Sequence, residues 1–154
     1  MVPAIAGVIG MLLFSRGSDR SGERVWHLTI PCLLGGLGRM LAGVSLSINP
    51  WLAIAAFSLA SFGISGSLPV FWNLPTAYLS AAAAGGIAVI NSVGNISGYA
   101  APQMVGLLRD MTGSYEIPML VVGVLVVAAG AMVPLAARTA DSARLSREAA
   151  ATGD

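Results

Sequence analysis

The chain consists of five apolar stretches that are separated by short polar segments. A membrane-spanning helix needs about 20 apolar residues. Four stretches meet that length, near residues 28–47, 50–70, 81–108 and 117–137. Residues 1–14 are apolar too, but as a helix they would extend only about 20 Å, so we interpret them as a truncated transmembrane helix. The pattern predicts an all-α fold, a multi-pass membrane helix bundle.

The composition supports the bilayer as the solvent of this chain. Charged residues make up 10% of its 154 residues, against about 25% in soluble domains, and the mean hydropathy is +0.81. No basic run with interleaved aromatic residues is present, which argues against a nucleic-acid partner. A single cysteine, Cys32, excludes a disulfide framework within the chain. No metal-binding, phosphate-binding or nucleophile motif is found, so we expect no cofactor, no metal and no enzymatic activity.

The arginines predict an orientation in the membrane. They concentrate in a polar segment at residues 15–27, which we expect to be a loop, and in a polar tail at residues 138–154. The segment after the third long stretch holds only Arg109. The positive-inside rule therefore places the early loop and the tail in the cytoplasm. Four predicted spans lie between the loop and the tail. An even number of spans returns the chain to the same side of the membrane, so the count agrees with the arginine distribution.

Three boundary features accompany these stretches. Asn49 and Pro50 are a good N-cap and a good first residue for the second long helix. Pro69 and Pro75 follow near its end and predict a break or a re-entrant bend. The Ala-rich tail is either a surface helix or disordered.

One stripe of the third long stretch is small and polar. Helical spacing places Asn91, Asn95, Gly98 and Pro102 on one face, with Gly94 beside it. Close packing through Gly94 and Gly98, with asparagine bonding between helices, is one interpretation of this face. The other interpretation is that Asn91 and Asn95 line a substrate cavity.

The preceding helices carry further polar candidates. Ser58, Ser61, Ser65, Pro69 and Trp72 share a stripe. Serines in membrane helices commonly bond to their own backbone, and a tryptophan at this depth is often an interfacial anchor, so both interpretations remain beside a substrate contact. Arg39 is a possible buried charge near the middle of its span, or it extends to the outer interface. No acidic residue is expected at its depth, which leaves a missing segment or a bound anion as its partner.

Several segments together resemble a known family. Residues 15–24 are similar to the G-x-x-x-D-R-x-G-R-R loop signature of the major facilitator superfamily, with Ser15 and Glu23 as departures. The segments Phe71-Trp72-Asn73-Leu74-Pro75-Thr76, Gly85 to Tyr99 and Thr112-Gly113-Ser114-Tyr115 resemble, in order and spacing, the anion:cation symporter family. That family includes permeases for phthalate, tartrate, hexuronates and galactonate.

The resemblance implies a function and an architecture. It implies transport of a small organic anion with a coupling cation such as the proton, by alternating access, in a bacterial cytoplasmic membrane. The chain would be the C-terminal part of a twelve-helix fold, with residues 1–14 as span eight and residues 28–137 as spans nine to twelve. The N-terminal half, with spans one to seven, would be a missing partner. The alternative is a membrane scaffold or assembly subunit that does not transport, or the product of a decayed gene.

The same resemblance assigns roles to individual residues. By the resemblance, Asn91, Asn95 and Trp72 are substrate-binding candidates, and the polar stripe of the second long helix adds Ser65. The gating-loop candidates are Asp19, Arg20, Gly22 and Arg24. Asp19 is expected near the positive N-terminal end of the long helix, or paired with one of the loop arginines.

Overall fold

Five α-helices follow one another in the computed structural model, which describes residues 1–78 and 83–152. They are α1 (Val2–Ser21), α2 (Val25–Ser45), α3 (Pro50–Tyr78), α4 (Ala83–Thr112) and α5 (Glu116–Thr152). No strand occurs among the described residues, which confirms the all-α prediction.

Three segments within the described residues are long and apolar enough to cross a membrane. They are Val25–Ser45 in α2, Pro50–Asn73 in α3 and Glu116–Thr139 in α5. The α4 helix is 30 residues long but is not among them. A span over residues 81–108 therefore stays a prediction, and its first two residues lie outside the described part.

The first helix is longer than the apolar pattern indicates. It runs for 20 residues and includes much of the polar segment that was expected to be a loop. Only Gly22, Glu23 and Arg24 separate it from α2. The helix ends at Gly22, which has a φ of 68° and donates its N–H to the carbonyl oxygen of Ser18. Glycine adopts this left-handed conformation without steric cost, so it fixes the turn at this residue.

The start and the course of α3 can be compared with two predictions from the sequence, the cap at Asn49 and the break between Pro69 and Pro75. The side-chain oxygen of Asn49 accepts a hydrogen bond from the N–H of Trp51 at 2.9 Å, which confirms the predicted cap. The predicted break between Pro69 and Pro75 is wrong, because α3 continues through both prolines to Tyr78. A proline removes one backbone bond, and neighbouring groups in a membrane helix can compensate for it.

The centre of the fold is α2, which packs against α3 on one side and α5 on the other. Glycines make both contacts close. A Cβ atom on Gly38 would lie 3.0 Å from the carbonyl oxygen of Ala56 in α3, and one on Gly36 would lie 2.7 Å from that of Gly123 in α5. Without an aqueous phase to drive them together, membrane helices associate largely through such close backbone packing.

The α1 helix lies on α3, and α4 lies apart from the other helices. Phe14 of α1 meets Phe62 of α3 edge to face, with 5.6 Å between ring centroids. By contrast, α4 contacts α5 and α3 at only a few positions. Nothing lies within 4 Å of a Cβ built on Gly94 or Gly98. The packing interpretation of this glycine pair therefore has no partner helix within the described residues.

The last helix, α5, extends into the tail. Helical backbone continues from Glu116 through the membrane-spanning part to Thr152. Of the two expectations for residues 138–154, the described part thus favours the helix.

Candidate functional site

The turn between α1 and α2 is held by its own polar groups. The carboxylate oxygens of Glu23 accept the backbone N–H of Trp26 at 3.3 and 3.2 Å, which caps the start of α2. Ser18 is buried, and its hydroxyl donates to the carbonyl oxygen of Glu23 at 3.4 Å. Sequence reasoning missed this role of Glu23. The signal was available, because acidic side chains near a helix N-terminus stabilise its unpaired N–H groups.

His27 packs onto the same turn. Its Nδ1 lies 3.4 Å from Oε2 of Glu23, although this nitrogen makes no hydrogen bond among the described residues. A Cβ atom on Gly17 would lie 3.0 Å from Nε2 of His27. Gly17 therefore provides the space in which the imidazole ring rests on α1.

Arg24 connects the turn to a distant part of the chain. Its Nη1 donates a hydrogen bond of 2.9 Å to the backbone carbonyl oxygen of Asn73 in α3. Of the four gating candidates, Gly22 shapes the turn and Arg24 joins it to another helix. Arg20 and Asp19 are exposed, and neither forms an ion pair within the described part of the chain.

The expected contact of Asp19 with the long helix is not made by the residues described here. The α1 and α4 helices do not touch, and residues 79–82, which precede α4, lie outside the described residues. The pairing of Asp19 with Arg20 or Arg24 is likewise not found in this part. The latch function of Asp19 therefore stays a prediction.

The four substrate-binding candidates lie on two separate helices. Ser65 lies at the α1–α3 interface, where a Cβ atom on Gly7 would be 2.8 Å from its Oγ. Trp72 is exposed on α3 and meets Phe71 edge to face at 5.5 Å. Asn91 and Asn95 are exposed on α4. The structure therefore does not bring the four residues into one site, because Ser65 faces α1 while Asn91 and Asn95 are exposed on α4.

An apolar cavity of about 530 Å³ lies between α2, α3 and α5. It begins beside Val25, next to the turn. Its lining is apolar except for the thiol of Cys32 and the hydroxyl of Ser67. None of the predicted site residues lines it, and its lining carries no charge that would hold an anion.

Comparison with known proteins gives relatives that are all named as transporters. The chain is 44% identical over 115 residues to a protein of Agrobacterium vitis named as a tartrate transporter. It is 42% identical over 114 residues to a quinolone resistance transporter of Acinetobacter baumannii. It is 37% identical over 114 residues to a protein of Pseudomonas putida named as the metabolite transport protein NicT.

These matches cover most of this chain and a small part of the relatives. They include 74%, 73% and 73% of the chain but only 25%, 26% and 26% of the respective relatives. The chain thus spans about a quarter of the length of the curated relatives it matches. No family model matches the chain, and no solved structure matches it.

Proposed function

From its relatives we infer that the chain belongs to an anion transporter family of the major facilitator superfamily, and we propose that it is the C-terminal part of a transporter for small organic anions. The observation that carries the proposal is the 44% identity to a protein named as a tartrate transporter. In the proposed mechanism, the anion enters with a coupling cation, such as the proton, while two helical halves alternate around a central site.

The exposed α4 helix supports a site that is shared with a second half. Asn91 and Asn95 lie one turn apart on α4, and both are exposed. An asparagine amide donates and accepts hydrogen bonds, so it can bind both carboxylate and hydroxyl groups of an organic anion. We propose that this face of α4 lines the central site when the remaining helices of the transporter cover it, with Trp72 near its cytoplasmic end.

The α1–α2 turn is the proposed cytoplasmic gate. Arg24 binds α3 through the backbone carbonyl oxygen of Asn73, which supports a role for this turn in fixing the cytoplasmic ends of the helices. Asp19 is exposed and free of ion pairs among the described residues, so it remains available for a helix N-terminus that approaches when the gate closes. We place the turn and the tail in the cytoplasm of a bacterial cell, with the chain in its cytoplasmic membrane.

A chimera tests the proposal. The N-terminal three quarters of the Agrobacterium vitis relative would be joined to residues 1–154, and uptake of labelled tartrate and other small dicarboxylates would be measured in cells. We expect saturable uptake by the chimera and none by residues 1–154 alone. A chimera that reaches the membrane but takes up none of the anions would contradict transport and favour the scaffold alternative. Saturable uptake by residues 1–154 in liposomes would indicate an oligomeric transporter instead.

A further inference from the structure

Arg39 lies in the seam between two helix contacts. On α2, Gly38 faces α3 and Gly36 faces α5, and helical spacing places Arg39 between these two directions. The residue is half-buried. Its Nε atom is inaccessible and has no hydrogen-bond partner among the described residues. A cation within a membrane span carries a large desolvation cost unless it has a partner.

An acidic residue starts the helix on the other side of this seam. Glu116 is the first residue of α5 and is half-buried. A Cβ atom on Gly43 would lie 3.1 Å from the carbonyl oxygen of Glu116 and 3.6 Å from its Cα. Gly43 follows Arg39 by one helical turn, about 6 Å along the axis. Folding thus brings the backbone of Glu116 beside the turn of α2 that follows Arg39.

From this geometry we infer that Arg39 and Glu116 form an ion pair across the α2–α5 seam, directly or through one water molecule. Because Gly43 has no side chain of its own, α5 approaches α2 closely at this turn, and the Cβ of Met119 lies 2.8 Å from where a Cβ atom on Gly43 would be. The other cation at this end, Arg109, is engaged by Asp110 at 3.5 Å and by the ring of Tyr115 at 5.1 Å. The pair closes the outer end of the seam and gives Arg39 a partner within the membrane.

The native Cys32 provides the reporter for a double-mutant test. It is the only cysteine of the chain and is half-buried, so a thiol-reactive fluorogenic dye reports unfolding of residues 1–154 in detergent micelles. We expect Arg39→Gln and Glu116→Gln each to lower the unfolding temperature. The double variant should lose no more than the worse single variant, because neither charge is then left unpaired. Losses that add, or single variants without any loss, would overturn the inference.

Two further sets of variants keep the test decisive. The double variant Arg39→Glu with Glu116→Arg should recover most of the unfolding temperature that either charge reversal loses alone. A double variant that is no more stable than the two single reversals would contradict the ion pair. Arg109→Gln is the matched control, since Arg109 is exposed and pairs with its own neighbour Asp110. If Arg109→Gln lowered the unfolding temperature as much as Arg39→Gln does, the loss would come from charge removal in general. That result would overturn the inference.

Discussion

Arg24 and Asn73, 49 residues apart in the sequence, are joined by a hydrogen bond of 2.9 Å from the guanidinium Nη1 to the backbone carbonyl oxygen. Arg24 lies in the turn between α1 and α2, and Asn73 lies in the C-terminal part of α3. One side chain thus connects three helices at one end of the bundle. Because the acceptor is a backbone atom, the contact depends on Arg24 and on the position of α3 but not on the side chain at residue 73.

Loss of this hydrogen bond should loosen the turn. Hydrogen bonds from charged donors contribute roughly 1.5–3 kcal/mol, and we expect the low end for Arg24→Gln because the site is only partly buried. The measurement is hydrogen–deuterium exchange of the amides in residues 15–27 of the chain in detergent, which should become faster. Arg20→Gln is the control, since Arg20 is exposed and forms no ion pair among the described residues. Equal exchange rates in both variants would contradict a structural role for Arg24.

Glycine substitutions should distinguish the closely packed α2–α5 contact from the exposed α4 helix. Gly36→Ala places a Cβ atom 2.7 Å from the carbonyl oxygen of Gly123 and 2.9 Å from the N atom of Val127. Because both are backbone atoms, α2 and α5 must separate, at a cost of about 1–3 kcal/mol. Gly98→Ala meets nothing within 4 Å and should raise helix stability by about 0.5–1 kcal/mol. Thermal unfolding followed through Cys32 measures both, and destabilisation by Gly98→Ala would show that α4 packs in solution.

The membrane orientation can be tested with introduced cysteines. Ser21 lies in the last turn of α1 and Thr112 at the end of α4, and both are exposed. In a Cys32→Ala background, we expect a membrane-impermeant maleimide added to intact cells to label Thr112→Cys. It should label Ser21→Cys only after the membrane is opened. Labelling of both positions in intact cells, or of neither, would contradict the four-span orientation.

Asn91 should contribute to anion recognition in the complete transporter or the chimera. Asn91→Ala removes both a donor and an acceptor, and a neutral hydrogen bond contributes about 0.5–1.5 kcal/mol, which corresponds to a several-fold weaker apparent affinity. Ser92→Ala changes the next residue on α4, which is equally exposed in this chain, and should have less effect. Competition uptake assays with unlabelled anion measure the difference. Normal affinity together with poor membrane insertion of Asn91→Ala would instead assign the residue to helix packing.

Hydrophobic patterning alone determined the helical class and most of the helix positions. The bilayer requires long apolar segments whose backbone bonds are internal, so an apolar run of sufficient length implies a helix. Local chemistry fixed some boundaries as well. The side chain of Asn49 caps α3, and Pro50 is the first residue of that helix. The polar character of residues 15–21, however, led to a predicted loop where α1 continues as helix.

Only the tertiary structure decided which residues meet. Ser65 shares a stripe with Trp72 in the sequence, yet it lies against Gly7, because the side on which α1 packs depends on contacts between distant residues. Glu116 lies 77 positions from Arg39 in the sequence, and only the close approach of α5 to Gly43 places Glu116 beside the turn of α2 that follows Arg39. Helix periodicity determines which residues share a face. Which face meets which helix is set by the shape and volume of both surfaces together, and the pattern of a single helix does not contain that information.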